Sequence, residues 1–269
     1  MSRTIRNLDL PEIAILLDWA AAEGWNPGLD DAVAFHAADP TGFFGCFVDG
    51  IMVAGISAVA YDDDFGFIGL YICHPDWRGR GHGKAVWDAG IAYLGNRTIG
   101  LDGVPEQQAN YASMGFVAAY ETVRLHGVLE PRIGPGIQPA SRLDEIVELD
   151  RQCFPADRTA FLQHWFGGPN RSAILRYNGR VSAYAVLRPC RDGSKIGPLF
   201  AEDATAALEL LAAYSGAVYM DVPISQHAWL EALSAQGFTR GFRTQRRYRG
   251  PAPDIQQSSI FAITSLELG

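Results

Sequence analysis

The chain has 269 residues, 48% of them apolar, with 22 basic against 30 acidic side chains and a net charge of −8. That is core enough for one large or two small domains, and too acidic for a broad nucleic-acid-binding face or a polybasic membrane surface. No apolar run approaches the roughly 18 residues needed to span a bilayer, and no secretory leader is visible at the start. Cys46, Cys73, Cys153 and Cys190 lie far apart without a C-x-x-C pair. This suits a reducing cytoplasm, and neither a disulfide framework nor a metal site is expected.

In chain order, residues 9–22 carry apolar positions at helical spacing. Residues 43–48 and 51–60 read as strands joined at Asp49-Gly50, a pair that favours a tight hairpin turn. A strand over 65–73 ends before Pro75, and a glycine-rich loop leads into a helix over 81–95, with Val86, Gly90, Ile91 and Leu94 on one face. Strands over 98–102 and 116–125 follow. The fold class this predicts is α/β in the α+β sense, a mixed sheet with helices packed on it.

Residues 131–139 then hold three prolines and two glycines, which continue neither a helix nor a central strand. This linker divides the chain into 1–130 and 140–269, and the two parts match. Gly115-Phe116, Tyr120, Thr122 and Arg124 correspond to Gly237-Phe238, Phe242, Thr244 and Arg246 at a constant offset of 122. Upstream, Asp102 corresponds to Asp221, Gly69 to Gly197, and the turn at Asp49-Gly50 to Asn178-Gly179. The offset falls from 128 at Gly69 to 119 at Asp102, so the second copy lacks nine residues across the glycine-rich run of the first.

That run carries the chemistry. Arg78-Gly79-Arg80-Gly81-His82-Gly83-Lys84 lies between a strand and a helix start. There, unpaired N–H groups and the positive end of the helix dipole attract anions, and glycine lets backbone approach a pyrophosphate closely. Neither the Walker A pattern nor G-x-G-x-x-G fits.

The segment resembles the Q/R-x-x-G-x-G/A motif of the GCN5-related N-acetyltransferase (GNAT) superfamily, as Arg78 to Gly83. Cys73-His74-Pro75-Asp76-Trp77 precedes it, and Tyr111 stands four residues ahead of Gly115. The second copy, with Leu233 where Tyr111 would be, looks like a degenerate repeat, as in tandem GNAT proteins of the YitH type. The resemblance implies two GNAT-like lobes, the first catalytic and the second closing the acceptor pocket. It further implies acetyl transfer from acetyl-CoA directly to an amine, with a small molecule the leading acceptor. A protein amine, or acyl-CoA sensing without catalysis, stays open.

In that reading Gly79, Arg80, Gly81, His82, Gly83 and Lys84, with Arg78, hold the CoA pyrophosphate, and Tyr71, Ile72 and Cys73 pair with the pantetheine arm, which Asn110 also reaches. Tyr111 protonates the departing thiolate, a transfer from a group near ~10 to one near ~8.5. The general base is open, because Phe67 stands where many members carry Glu. Asp62, Asp63, Asp64, Glu106 and Asp221 are candidates. Asp221 is expected to face the pocket and pair with the amine, the alternative being a helix cap, and Trp25 is expected on the acceptor lip. Cys73 and His74 read as packing residues rather than nucleophile or ligand. A monomer is expected, since the duplicated lobes mimic a dimer.

Overall fold

The computed structural model describes residues 2–132, 134, 136–140, 143–177 and 179–269. Ile133 and Pro135 of the expected linker and Asn178 of the expected second turn lie outside the described residues. An edge strand with little apolar patterning, β1 (Arg3–Asn7), pairs antiparallel with β2 (Phe43–Val48). Between them stand α1 (Leu10–Ala22) and α2 (Asp31–Ala38). The first begins at Asp9, whose carboxylate accepts from the Glu12 N–H while Glu12 accepts from the Asp9 N–H, satisfying donors at the helix start. Ile13, Leu16, Leu17 and Ala20 form its buried stripe.

From β2 the chain turns into β3 (Ile51–Ala60) through Asp49 and Gly50, at φ 49° and 85°, the left-handed pair that a two-residue hairpin requires. Then β4 (Phe65–Cys73), α3 (His82–Leu94) and β5 (Thr98–Gly103) form a parallel crossover, and α4 (Gln108–Ser113) leads into β6 (Val117–Leu129). The second copy repeats much of this as β7 (Ile137–Pro139), α5 (Leu143–Cys153), α6 (Thr159–Gly167), β8 (Ser172–Tyr177), β9 (Val181–Pro189) and β10 (Ser194–Ala201). It continues with α7 (Ala204–Leu211), β11 (Gly216–Pro223), α8 (His227–Ala235) and β12 (Thr239–Arg249), and adds a short β13 (Ile260–Ala262).

These strands form one sheet, ordered β1-β2-β3-β4-β5-β12-β6-β11-β10-β9-β8-β7, with β13 on β10. Each copy therefore gives its last long strand to the other: β12 lies against β5 and β6 against β11. The division at 131–139 separates sequence copies, while in the sheet β6 and β12 have crossed over. The matched residues lock the exchange. Arg124 stands opposite Asp221 and grips it with two bonds of 2.8 and 3.0 Å, and Arg246 stands opposite Asp102 with two of 2.8 Å. Such forked pairs fix register as well as charge.

In both copies a parallel pairing stops at a glycine. The β4–β5 ladder ends at Ile68↔Leu101, just before Gly69, and the β10–β11 ladder at Ile196↔Met220, just before Gly197. In the first copy a cavity follows. In the second, β13 takes the place, pairing with Leu199 and Phe200 of β10, while the Ile263 N–H donates to the Asp221 carbonyl at 2.9 Å. The tail then runs buried into the first copy, where Ser57 Oγ donates to the Glu267 carbonyl and the Tyr61 hydroxyl to that of Leu268.

Candidate active site

The chain leaves β4 at Cys73, makes one tight turn over Pro75–Trp77, and enters α3 through Gly79 and Gly81, at φ 74° and 78°. Those left-handed angles disfavour any residue with a Cβ. Gly81 caps α3 without a side chain, so the helix start presents bare backbone N–H groups. A Cβ on Gly83 would lie 3.1 Å from the Tyr71 hydroxyl, closing the approach. The loop is braced from behind: Arg78 Nε donates to the Cys73 carbonyl at 3.0 Å and its outer nitrogen pairs with Glu23, on the first residue after α1.

This cradle opens on a cavity of ≈ 520 Å³. Arg78, Gly79, Gly81, His82, Gly83 and Lys84 line it, as do Tyr71, Ile72 and Cys73 of β4. Arg80 does not; its guanidinium lies 5.2 Å over the Trp77 ring. Burial raises the Cys73 thiol above its ordinary range against the opposing pull of the Gly83 N–H, so burial favours the protonated thiol. His74 packs edge-on against Trp19 at 5.5 Å. No cluster of three metal-ligating side chains occurs among the described residues.

Tyr111 and Asn110 of α4 line the cavity too. The phenol stacks on Trp87 at 5.7 Å, and burial, with nearby Tyr71, pushes its pKa up to about 12. It therefore keeps its proton throughout the neutral range. Trp25 also lines the cavity, and its carbonyl accepts from Arg124 at 2.8 Å and from Lys195 at 3.1 Å, the latter tying the loop after α1 to the second copy.

Asp221 does not reach the cavity. It lies inside β11 rather than after it, 3% exposed and gripped by Arg124, and the helix that follows is capped at Gln226. Its burial is outweighed by Arg124 and Lys195, which hold the carboxyl below its usual range. The residue is a structural ion-pair partner, neither on the pocket nor a cap. Its counterpart Asp102 does line the cavity, but Arg246 occupies both its oxygens. Burial there prevails over Arg246, and the carboxyl lies above its ordinary value.

The other carboxylates considered from sequence are also off the cavity lining. Asp62 accepts the Asp64 and Phe65 N–H groups in a turn, Asp63 pairs with Arg97 at 3.5 Å, and Glu106 is exposed. Phe67 is fully buried beneath the Arg246 guanidinium. The second copy instead contributes Phe242, Thr244, Leu266 and Glu267. Sequence reasoning missed these; for Glu267 the one signal was a single acid within an otherwise apolar or hydroxylic closing stretch.

Comparison with known proteins agrees with this geometry. Residues 10–119 match the family described as "Acetyltransferase (GNAT) family" and residues 146–262 the "Acetyltransferase (GNAT) domain". The chain is 35% identical over 277 residues to "Holothin acyltransferase" of Pseudoalteromonas sp. (strain SANK 73390), covering 99% of this chain and 94% of that protein. A Pyrococcus horikoshii protein described as an acetyltransferase superposes at TM-score 0.85 with 18% identity, over 99% of this chain and 96% of its own. A tandem GNAT protein from the clavulanic acid biosynthesis pathway superposes at 0.63 with 17% identity, over 93% and 100%.

Proposed function

This chain belongs to the GCN5-related N-acetyltransferase family and is an acyltransferase, and from that premise we propose that it transfers an acetyl group from acetyl-CoA to an amine of a small molecule. The observation that carries the reading is the left-handed glycine cradle at the start of α3, which opens into the same cavity as the β4 edge and the Tyr111 phenol. The family uses acyl-CoA, and the cradle fits it: bare N–H groups for the pyrophosphate, no Cβ to obstruct them, and Arg78 and Lys84 beside them.

When bound, acyl-CoA supplies the activated thioester. The backbone of Tyr71, Ile72 and Cys73 pairs with its pantetheine arm in the manner of a strand, and an N–H there polarises the thioester carbonyl. Tyr111, protonated at neutral pH, donates a hydrogen bond to the departing sulfur. With its pKa near 12, complete transfer to a thiolate near ~8.5 is uphill, so its help is a bond that strengthens as charge develops. Enclosure of the cavity by Phe242, Thr244 and Leu266 favours a small acceptor over a protein side chain.

Holothin leads the acceptors to be tried, because the relative is named for it. Thiol release from acetyl-CoA and longer acyl-CoAs, measured with holothin and a panel of small amines, tests the reading. Turnover with acetyl-CoA and at least one amine supports it, and CoA binding with no turnover on any amine overturns it in favour of a sensor. The internal strand exchange supports a monomer in solution, to be checked by light scattering.

A further inference from the structure

We propose that Glu267, from the C-terminal tail, is the general base of the reaction, receiving the acceptor ammonium and taking its proton; the proposal rests on the N-acyltransfer reading above. Glu267 lines the cavity, is 1% exposed, and neither of its carboxylate oxygens has a hydrogen-bond partner among the described residues. An enclosed carboxylate without a partner is costly to fold, so groups of this kind are found where a ligand completes them.

Its position is specified by the fold. The Glu267 carbonyl lies 2.0 Å from where a Cβ on Gly69 would be, so glycine at that point of β4 is what admits the tail. Gly69 is two residues beyond Phe67, at the place where the β4–β5 ladder stops and the cavity begins. Phe67 cannot accept a proton, and the carboxylates of Asp102 and Asp221 are both gripped by arginine. Of the carboxylates on the cavity, Asp102 is gripped by Arg246 and Glu23 is held by Arg78, whereas Glu267 has no such partner among the described residues.

The charges that face it are Arg124 of β6 and Lys195 of β10. Burial lowers Lys195 overall, and Glu267 opposes that, as it supports the raised Arg124. Cys190, just past β9, also feels the carboxylate, whereas Asp102 on β5 and Asp221 on β11 bring negative charge that Arg246 and Arg124 neutralise.

The step balances without a further reactant. One N–H bond of the ammonium breaks and an O–H bond forms on Glu267. The freed lone pair makes the C–N bond to the thioester carbon, the C–S bond breaks with its electron pair on sulfur, and the second nitrogen proton ends on that sulfur as free thiol. Glu267 returns its proton to water.

The test uses full-length protein and the best amine from the acceptor panel. Glu267→Gln should lower kcat by roughly 10²–10⁴-fold and abolish the acid limb of the kcat/KM pH profile. It should also weaken binding of that amine to the CoA complex at least tenfold by calorimetry, with melting temperature and CoA affinity retained. Glu267→Asp, which keeps the charge but withdraws it by one methylene, should retain the acid limb at reduced kcat. A Gln variant with the wild-type acid limb and amine affinity overturns the assignment, and so does an Asp variant with wild-type kcat should the Gln variant fail to fold. If wild-type protein acylates no amine, the functional reading itself has failed, a result distinct from either.

Discussion

The two exchanged ion pairs provide a controlled comparison, since geometry and register match while the neighbours differ. Asp221 has Arg124 and, close by, Lys195, and its carboxyl is held below the usual range despite burial. Asp102 has Arg246 alone, feels Asp221 as a like charge, and is pushed up by burial. Removing one partner of a buried pair strands the other charge and costs about 3–5 kcal/mol. An unfolding entropy of about 2.1 cal/mol/K per residue makes that a fall of about 5–9 °C for a chain of this length. Asp221→Asn is expected in that range. Asp102→Asn should fall short of it, because burial offsets more of that ion pair than of the Asp221 pair. The pH dependence has opposite signs. The depressed Asp221 carboxyl contributes stability above its unfolded value near ~3.9 that is lost as pH falls through the lower folded value. The raised Asp102 carboxyl instead penalises the fold as pH rises through its own pKa. Scanning calorimetry of both variants at pH 7 and pH 4, with CoA affinity as the control for folding, reads the difference. Equal losses at pH 7, or a larger one for Asp102→Asn, would refute the reasoning.

Tyr111→Phe removes the hydroxyl and keeps the ring, so kcat should fall toward the low end of ~10²–10⁴-fold with little change in the KM for acetyl-CoA, under single-turnover conditions. Calorimetric titration should give one CoA per chain, because β13 occupies the second copy's counterpart of the cavity. A Cβ at Gly81 would meet no protein atom within 4 Å, but Gly81→Val forces a β-branched residue to φ 78°, so CoA binding should be lost while melting falls by the few degrees that about 1–2 kcal/mol of strain implies. Gly69→Ala places a methyl on the Glu267 carbonyl, so proteolysis should release the C-terminal segment and acyl transfer should collapse before CoA affinity does.

Local signals carried much of the fold. The Asp49-Gly50 hairpin, the helices near 9–22 and 81–95 and the first-copy strands from 43 onward have the expected boundaries to within a few residues, because turn chemistry and apolar spacing act over short range. The predicted strand over 116–125 runs on to Leu129 as β6. β1 is five residues of Arg-Thr-Ile-Arg-Asn and belongs to the sheet only through pairing with β2. The strand exchange is a choice between equals: β6 and β12 carry the same matched residues, and nothing local says which neighbour each takes. The repeat exposed Asp102, Asp221, Arg124 and Arg246 as landmarks without revealing that they bond across copies. Asp221 was misplaced for that reason. In the site, the glycine cradle, the β4 edge, Asn110, Tyr111 and Trp25 were legible because the motif is contiguous or closely spaced, whereas Glu267 enters from nearly 200 residues away.

Duplication within one chain explains why the copies are free to differ. In a symmetric dimer each subunit carries the same tail, so a segment that fills one cleft fills both. Here a single C-terminal segment serves two unlike ends. At Leu199 and Phe200 it completes the sheet where the second copy's ladder stops, burying Ile260 and Phe261 in the core. A few residues later it supplies Leu266 and Glu267 to the first copy's cavity. The nine residues missing from the second copy and the strand across its cleft are then two sides of one specialisation. Lys195, the counterpart of Phe67 at the offset of Gly69 and Gly197, reaches the Trp25 carbonyl and leaves the first copy's loop anchored. The second copy gives up its own cradle and acts through what it places around the first.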